Sequence, residues 1–85
     1  MYEIYTANKK TEKRLQDLIK SRKDISEKLN RLKSNPRKEL DAHSLHGRLA
    51  NKWGCWLGYN LRIIYSIDDM NKKIIIEAVG SHKIY

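Results

Sequence analysis

The spacing of the hydrophobic residues changes about halfway along this chain. Between residues 8 and 34 the apolar residues recur every three or four positions, which is the period of an α-helix. From residue 53 onward they alternate or run together, which is typical of β-strands. This change of period predicts an α+β domain in which helices pack on one small sheet.

Two short helices are predicted, near residues 8–21 and 24–34, because each segment carries one apolar stripe. The stripes are Leu15, Leu18 and Ile19 in the first helix and Ile25, Leu29 and Leu32 in the second. Asp24 followed by Glu27 has the spacing of a capping box at the start of the second helix. Pro36 ends that helix, because proline disfavours helical backbone at the residue before it. The two segments therefore predict a helical hairpin.

The strands are predicted by the second half of the chain and by its first residues. Residues 61–67 and 74–79 form a hairpin across the polar turn 68–72, and 74–79 is apolar enough for a strand covered on both sides. Residues 53–59 predict a third strand, and residues 2–5 a short fourth at an edge or paired in from the N-terminus. In the predicted strand 61–67, one face carries Leu61, Ile63, Tyr65 and Ile67. The order β-α-α-β-β-β predicts a mainly antiparallel sheet.

Length and charge limit the classes of function. The chain has 85 residues, which predicts a single domain over 1–85 and excludes a Rossmann domain, a kinase or a barrel enzyme. Its net charge is +8, and residues 9–38 alone, with 12 Lys and Arg against 4 Asp and Glu, account for that excess. RNA or DNA is the partner that this charge favours. The alternative is a solvated Lys-rich surface with no specific partner.

Cysteine usage and hydropathy predict the compartment. Cys55 is the single cysteine, so no disulfide forms within the chain, and a reducing cytosol is expected. Because Cys55 alternates with tryptophans in an apolar strand, we expect a buried thiol and not a nucleophile. No apolar run is long enough to span a bilayer, and the N-terminus does not resemble a signal peptide. We therefore expect a cytoplasmic protein.

Three histidines and one arginine are the candidates for chemistry. His43 and His46 precede the sheet, His82 follows its last strand, and Arg62 lies on the strand face opposite Leu61. If the last strand lies beside the middle ones, the two histidine clusters meet at one sheet edge. Together these side chains supply a base, an acid and a fixed cation, which is what RNA cleavage by the 2′-hydroxyl requires, with no metal or other cofactor.

Each candidate also has an ordinary structural interpretation. The histidines can be surface loop residues, and Arg62 can be the ion-pair partner of Asp68 or Glu77. His43 and His46 have no second ligand pair at zinc spacing, so no metal site is predicted. The tryptophans, Trp53 and Trp56, are more typical of a core or a partner interface than of a base-stacking platform.

Three motifs together resemble the RelE/ParE superfamily of small toxins from type II toxin–antitoxin modules. They are His-Ser-Leu-His-Gly at 43–47, Asn-Leu-Arg-Ile-Ile-Tyr at 60–65 and Val-Gly-Ser-His-Lys-Ile-Tyr at 79–85. The resemblance covers nearly the whole chain and extends to the basic two-helix front half. It implies a small antiparallel sheet with helices on one side, and a ribosome-dependent endoribonuclease that cuts mRNA in the A site.

The same resemblance implies roles for individual residues. Arg62 matches the arginine that binds the scissile phosphate, and His82 matches a catalytic histidine. Tyr85 resembles the C-terminal aromatic residue that stacks on or activates the substrate nucleotide, and His43 resembles the histidine that assists proton transfer in the YafQ-like branch. The candidate nucleic-acid contacts are Arg48, Lys52, Lys83 and His46. In this hypothesis the helical hairpin binds the RNA backbone while the sheet edge cuts.

The resemblance also implies a cognate antitoxin that holds the toxin inactive. An acidic segment that neutralises the cationic surface and covers the two tryptophans would do this. Two other functions stay open at this point. One is a ParE-like inhibitor of DNA gyrase with the same fold, and the other is a basic nucleic-acid-binding module without catalysis.

Overall fold

The computed structural model describes residues 1–81 and confirms the α+β fold. Its helices and strands are β1 (Glu3–Thr6), α1 (Lys9–Ser21), α2 (Asp24–Ser34), β2 (His43–Ser44), β3 (Trp53–Gly58), β4 (Leu61–Asp68) and β5 (Lys73–Gly80). Two 3₁₀ turns, Glu39–Asp41 and Gly47–Leu49, flank β2. Both helices and four strands lie where the sequence predicts them, whereas β2 was not predicted because two residues carry no periodic signal. In this part of the chain no helix is long and apolar enough to cross a membrane.

The five strands form one sheet in the order β1-β5-β4-β3-β2. All neighbours are antiparallel except β1 and β5, which run parallel. The expected position of the N-terminal strand at a sheet edge is therefore confirmed. Because β1 pairs with β5, the last strand becomes an interior strand, and this places its C-terminal end away from the sheet edges.

Both helices pack on the same face of the sheet. The buried core comprises Leu15, Ile25, Leu29 and Leu32 from the helices and Cys55, Leu57, Ile63, Tyr65, Ile74, Ile76 and Val79 from the sheet. The predicted helical stripes and the apolar face of β4 are thus confirmed. The helices cover one face of β5, and on its other face Ile75 and Ala78 are half-buried, so the prediction that β5 is covered on both sides stays a prediction.

The helix starts differ in how they are capped. The side chain of Asn8 accepts a hydrogen bond from the Thr11 amide at 2.8 Å and caps α1. The capping box predicted for α2 is wrong: Asp24 is the first helical residue and not the cap. Its carboxylate instead accepts hydrogen bonds from Arg22 and forms an ion pair with Lys28 at 3.1 Å. Arg22 and Lys28 therefore bind the Asp24 carboxylate oxygens, which in a capping box would accept a hydrogen bond from a backbone amide.

This ion-pair cluster makes acid stability depend on Asp24. The hydrogen bond from Arg22, followed by that from Lys28, lowers the pKa of the Asp24 carboxyl from 3.8 to about 2. A lowered folded-state pKa stabilises the protein above the unfolded pKa, and this contribution is lost as pH falls through the folded value. We expect Asp24→Asn to flatten the decline in stability between pH 4 and pH 2, measured as the urea midpoint at each pH.

The control for this experiment is Asp17→Asn, which removes a carboxylate from an exposed position of α1. It should leave the acid decline of the wild-type protein in place. An Asp24→Asn protein whose urea midpoint falls with pH as steeply as that of the wild type would contradict the prediction.

The connection between β3 and β4 joins the sheet to the start of α2. Tyr59 and Asn60 form a two-residue turn with left-handed φ values of 53° and 63°, as in type I′ hairpins. Gly58 before them has φ +86°, and an added Cβ would lie 2.9 Å from the Lys28 Nζ atom. That lysine and Arg22 both donate hydrogen bonds to the Leu57 carbonyl, at 3.0 and 2.7 Å. The turn therefore favours glycine because of its backbone angle, whereas the flexible end of Lys28 could move away from an added Cβ.

Candidate functional site

The candidate site lies on the sheet face opposite the helices. Residues paired directly across antiparallel strands share a face, so the register places two rows of side chains there. The first row consists of His43, Gly54, Ile64 and Ala78, and the second of Trp56, Arg62 and Gly80. Their neighbours along the strands, Cys55, Ile63 and Val79, face the core instead. The structure therefore brings His43 and Arg62 onto one surface.

The centre of this surface is buried, since Gly54, Ile64 and Gly80 are all buried, whereas Trp56 and Arg62 are half-buried and His43 is exposed. Gly54 lies beside His43, and Gly80 lies beside Arg62, so neither fills the space next to its neighbour with a side chain. We call the surface the trough: its floor is Gly54, Ile64, Ala78 and Gly80, and its walls are His43, Trp56 and Arg62. From the strand spacing and the rise per residue, the Cα atoms of His43 and Arg62 are about 12 Å apart. An extended strand of nucleic acid can span that distance.

Arg62 is held by an aromatic ring. Its Cζ atom lies 3.6 Å from the centroid of the Trp56 ring, and both side chains are half-buried. Stacking on an indole fixes the plane of the guanidinium, which keeps its charge at every physiological pH and can bind phosphate through two N–H groups. The carboxylates considered as alternative partners are engaged elsewhere, Asp68 by Asn71 and Glu77 by Lys52.

His43 is exposed on the edge strand β2. Its Nδ1 atom lies 3.1 Å from the carbonyl oxygen of Asp41. A neutral imidazole that donates from Nδ1 to this carbonyl keeps Nε2 as its basic nitrogen.

An ion pair crosses the trough face at the end away from Arg62. Lys52 directly precedes Trp53, which packs against the core, so by alternation Lys52 lies on the trough side. Its Nζ atom is 2.5 Å from Oε2 of Glu77 on β5, and β4 lies between the two strands. The sequence predicts Lys52 as a nucleic-acid contact but not this partner, since the two residues are 25 positions apart.

The other predicted site residues divide into two groups. His46 and Arg48 are exposed at the 3₁₀ turn Gly47–Leu49, close in sequence to His43. His82, Lys83 and Tyr85 lie outside the described residues. The last strand does lie beside a middle strand, β4, but His82 is outside the described residues, so the meeting of the two histidine clusters stays a prediction.

The basic helical hairpin and the trough lie on opposite sides of the sheet. The helices cover the core face, and their exposed lysines, such as Lys9, Lys10 and Lys13, point away from it. The hypothesis that the hairpin and the sheet contact one short RNA segment together does not fit this arrangement. The two surfaces are therefore available to different partners.

Cys55 and a bound metal ion are two further candidates for chemistry. The thiol of Cys55 is fully buried, and burial raises its pKa to about 12, so it stays protonated at neutral pH. Cys55 is thus a core residue, as predicted, and not a nucleophile. Among residues 1–81 no group of three or more His, Cys, Asp or Glu side chains is arranged to hold a metal ion.

A five-stranded sheet with two helices on one face defines a class of small α+β proteins. Solved structures of this class include a YoeB/ParE toxin from Agrobacterium tumefaciens (TM-score 0.75, 16% identity, 96% of this chain and 99% of that chain). The YoeB–YefM toxin–antitoxin complex from Staphylococcus aureus is similar to the same extent (TM-score 0.75, 17% identity, 96% and 98%). The chain therefore has the fold of the RelE/ParE toxins, which confirms the predicted resemblance.

A further solved structure is more similar in sequence. It is a conserved hypothetical protein from Helicobacter pylori, with 27% identity, a TM-score of 0.66 and coverage of 98% of this chain and 97% of that one. No protein-family model matches the chain, and no curated protein matches it. Sequence identities of 16–27% show the fold but not the activity. The activity is therefore inferred from the residues of the trough.

Proposed function

We propose that this protein is the toxin of a type II toxin–antitoxin module and that it cleaves mRNA on the ribosome. The observation that carries the proposal is Arg62, stacked on Trp56 on the sheet face that it shares with His43. A rigid cation and an imidazole on the same face of a sheet suit a polymeric substrate that cannot be enclosed by a chain of 85 residues.

The proposed chemistry is attack of a ribose 2′-hydroxyl on the adjacent phosphate. His43 accepts the hydroxyl proton at Nε2, and the new O–P bond gives a 2′,3′-cyclic phosphate. Arg62 stabilises the negative charge that develops on the phosphate oxygens in the transition state. The P–O5′ bond breaks, and the leaving oxygen takes a proton from His82, the acid that the family resemblance implies. Base, acid and cation are all side chains.

An antitoxin is the proposed protein partner. In support, the YoeB toxin with this fold is found in a complex with its antitoxin YefM. The net charge of +8 favours an acidic partner segment, and the basic outer surface of the helices is the place where such a segment gains most. Because mRNA and ribosomes are its proposed targets, we infer that the protein acts in the cytoplasm.

The proposal is tested by incubating the purified protein with mRNA on programmed ribosomes and mapping the cleaved ends. Wild-type protein should produce 2′,3′-cyclic phosphate and 5′-hydroxyl ends, and His82→Ala should slow cleavage by about 10²–10⁴-fold, the usual contribution of a general acid. Lys20→Ala, an exposed change at the end of α1, is the control and should cleave at the wild-type rate.

Two outcomes would contradict this function. Intact mRNA together with inhibited supercoiling by DNA gyrase would assign the protein to the ParE-like class. Intact mRNA and active gyrase would leave a binding module without catalysis. A His82→Ala protein as fast as the wild type would remove His82 from the mechanism.

A further inference from the structure

Tyr65 on β4 is a tyrosine in the middle of the apolar core. Its side chain has no exposed surface, and its hydroxyl donates a hydrogen bond of 2.5 Å to the carbonyl oxygen of Pro36. Pro36 is itself buried, in the segment 35–42 that joins α2 to β2. Because phenylalanine would fill the core equally well, the function of the hydroxyl lies in the group that it binds. It fixes the start of this segment to the sheet.

A second contact holds the same segment from outside. The guanidinium of Arg37 donates two hydrogen bonds to the Asp69 carboxylate, at 2.9 and 2.8 Å. These two side chains are 42% and 56% exposed, so solvent screens their attraction and the pair contributes little stability. A buried carbonyl that loses its donor, in contrast, carries the full cost of its desolvation. The inner hydrogen bond from Tyr65 is therefore the stronger of the two anchors.

The segment reaches His43 in a conformation that its own residues do not favour. Leu40 and Asp41 have φ values of 58° and 56°, in the left-handed region that is uncommon for residues with a side chain. Such a conformation persists only where the surrounding structure enforces it, and β2 gives limited support, since two residue pairs join it to β3. In this conformation the Asp41 carbonyl oxygen lies 3.1 Å from Nδ1 of His43. Release of the segment would therefore separate these two atoms.

We propose that Tyr65 is a positioning residue for His43. Its hydroxyl holds Pro36 and thereby keeps the segment 35–42 in the conformation in which the Asp41 carbonyl accepts a hydrogen bond from Nδ1–H of His43. The proton then stays on Nδ1, and Nε2 remains the basic nitrogen. This role rests on the proposed function, in which His43 is the base.

The test is the tautomer of His43 in a Tyr65→Phe protein, which lacks only the hydroxyl oxygen. Nitrogen-15 chemical shifts of the two ring nitrogens, recorded at about pH 8 where the imidazole is neutral, show which of them carries the proton. In the wild-type protein Nδ1 should carry it. In Tyr65→Phe the ratio of the Nδ1–H form to the Nε2–H form should fall by about 3–10-fold, the factor for one lost hydrogen bond. Single-turnover cleavage of ribosome-bound mRNA should slow as the Nδ1–H fraction falls.

Three comparisons make this experiment specific. His46, which follows β2 at the second 3₁₀ turn, is an internal reference whose tautomer should stay unchanged. Leu15→Ala removes a buried side chain from α1 and destabilises the whole protein, yet it should leave the tautomer of His43 as in the wild type. Asp69→Asn weakens the outer anchor, and because that ion pair is exposed, it should change the ratio much less than Tyr65→Phe does.

The contrary results are distinct from one another. A wild-type His43 with its proton on Nε2, or an unchanged ratio in Tyr65→Phe, overturns the positioning role. An equal change in Leu15→Ala also overturns it, because the change would then follow overall stability. Unchanged cleavage by a Tyr65→Phe protein whose ratio has fallen would overturn the role of Tyr65 in the reaction. Tautomers that change as expected in a protein that does not cleave mRNA would contradict the proposed function and support the effect of Tyr65 on His43.

Discussion

Replacing Arg62 with alanine is expected to lower the rate of RNA cleavage by about 10²–10³-fold, the usual loss when one group that stabilises an oxyanion is removed. The guanidinium is fixed in the trough by the Trp56 ring, so its donors need little reorganisation as charge develops on the phosphate. The loss should appear in the single-turnover rate on ribosome-bound mRNA, at a protein concentration that saturates binding.

Two further variants make this experiment specific. Arg62→Lys keeps the charge but loses the planar fork and the stacking, so it should recover only part of the rate. Arg14→Ala removes an arginine from the exposed face of α1, on the other side of the sheet, and should cleave at the wild-type rate. A folded Arg62→Ala protein, verified by circular dichroism, that cleaves as fast as the wild type would refute a role for Arg62.

Replacing Leu32 with alanine is expected to destabilise the protein by about 2–5 kcal/mol, the range for deleting a buried leucine side chain. Leu32 on α2 has no exposed surface and belongs to the core between the helices and the sheet. In a domain of this size, each kcal/mol corresponds to about 4–8 °C in Tm, so the midpoint should fall by about 8 °C or more. Urea unfolding and thermal melting followed by circular dichroism measure both quantities.

Leu18→Ala is the matched control for Leu32. Leu18 on α1 packs against the same core but is only half-buried, so the substitution removes the same atoms with less loss of burial. Its destabilisation should be clearly smaller. Equal destabilisation by the two substitutions would contradict the prediction that the loss of stability follows how deeply each leucine is buried.

The sequence predicts the main elements of the fold because their periodic signals are long. Thirteen residues of α1 and eight each of β4 and β5 carry enough repeats to define their type. The two-residue strand β2 has no such signal, although it determines that His43 faces the trough. Parallel pairing of β1 with β5 also escapes prediction, because nothing local in four residues encodes a partner 70 positions away.

The sequence predicts which residues belong to the candidate site, but it does not predict how they are placed relative to one another. The motif around Arg62 identifies that residue from sequence alone, yet its stacking on Trp56 depends on the β3–β4 register. The register shift between Trp56 and Gly58 is itself set by a glycine with positive φ. Likewise, the Lys52–Glu77 pair forms only because β4 separates β3 from β5. Contacts of this kind come from tertiary structure, which periodicity does not encode.

The two cations on the Leu57 carbonyl also bear on how this protein avoids self-association. Within residues 1–81, β2 pairs only with Trp53 and Gly54, and no other strand of this part of the chain lies along the outer edge of β3. An uncovered strand edge is a template for pairing with another chain and hence for aggregation. Arg22 and Lys28 occupy a carbonyl acceptor on that edge and place positive charge beside it. These two cations therefore oppose strand-to-strand polymerisation of the protein at this edge.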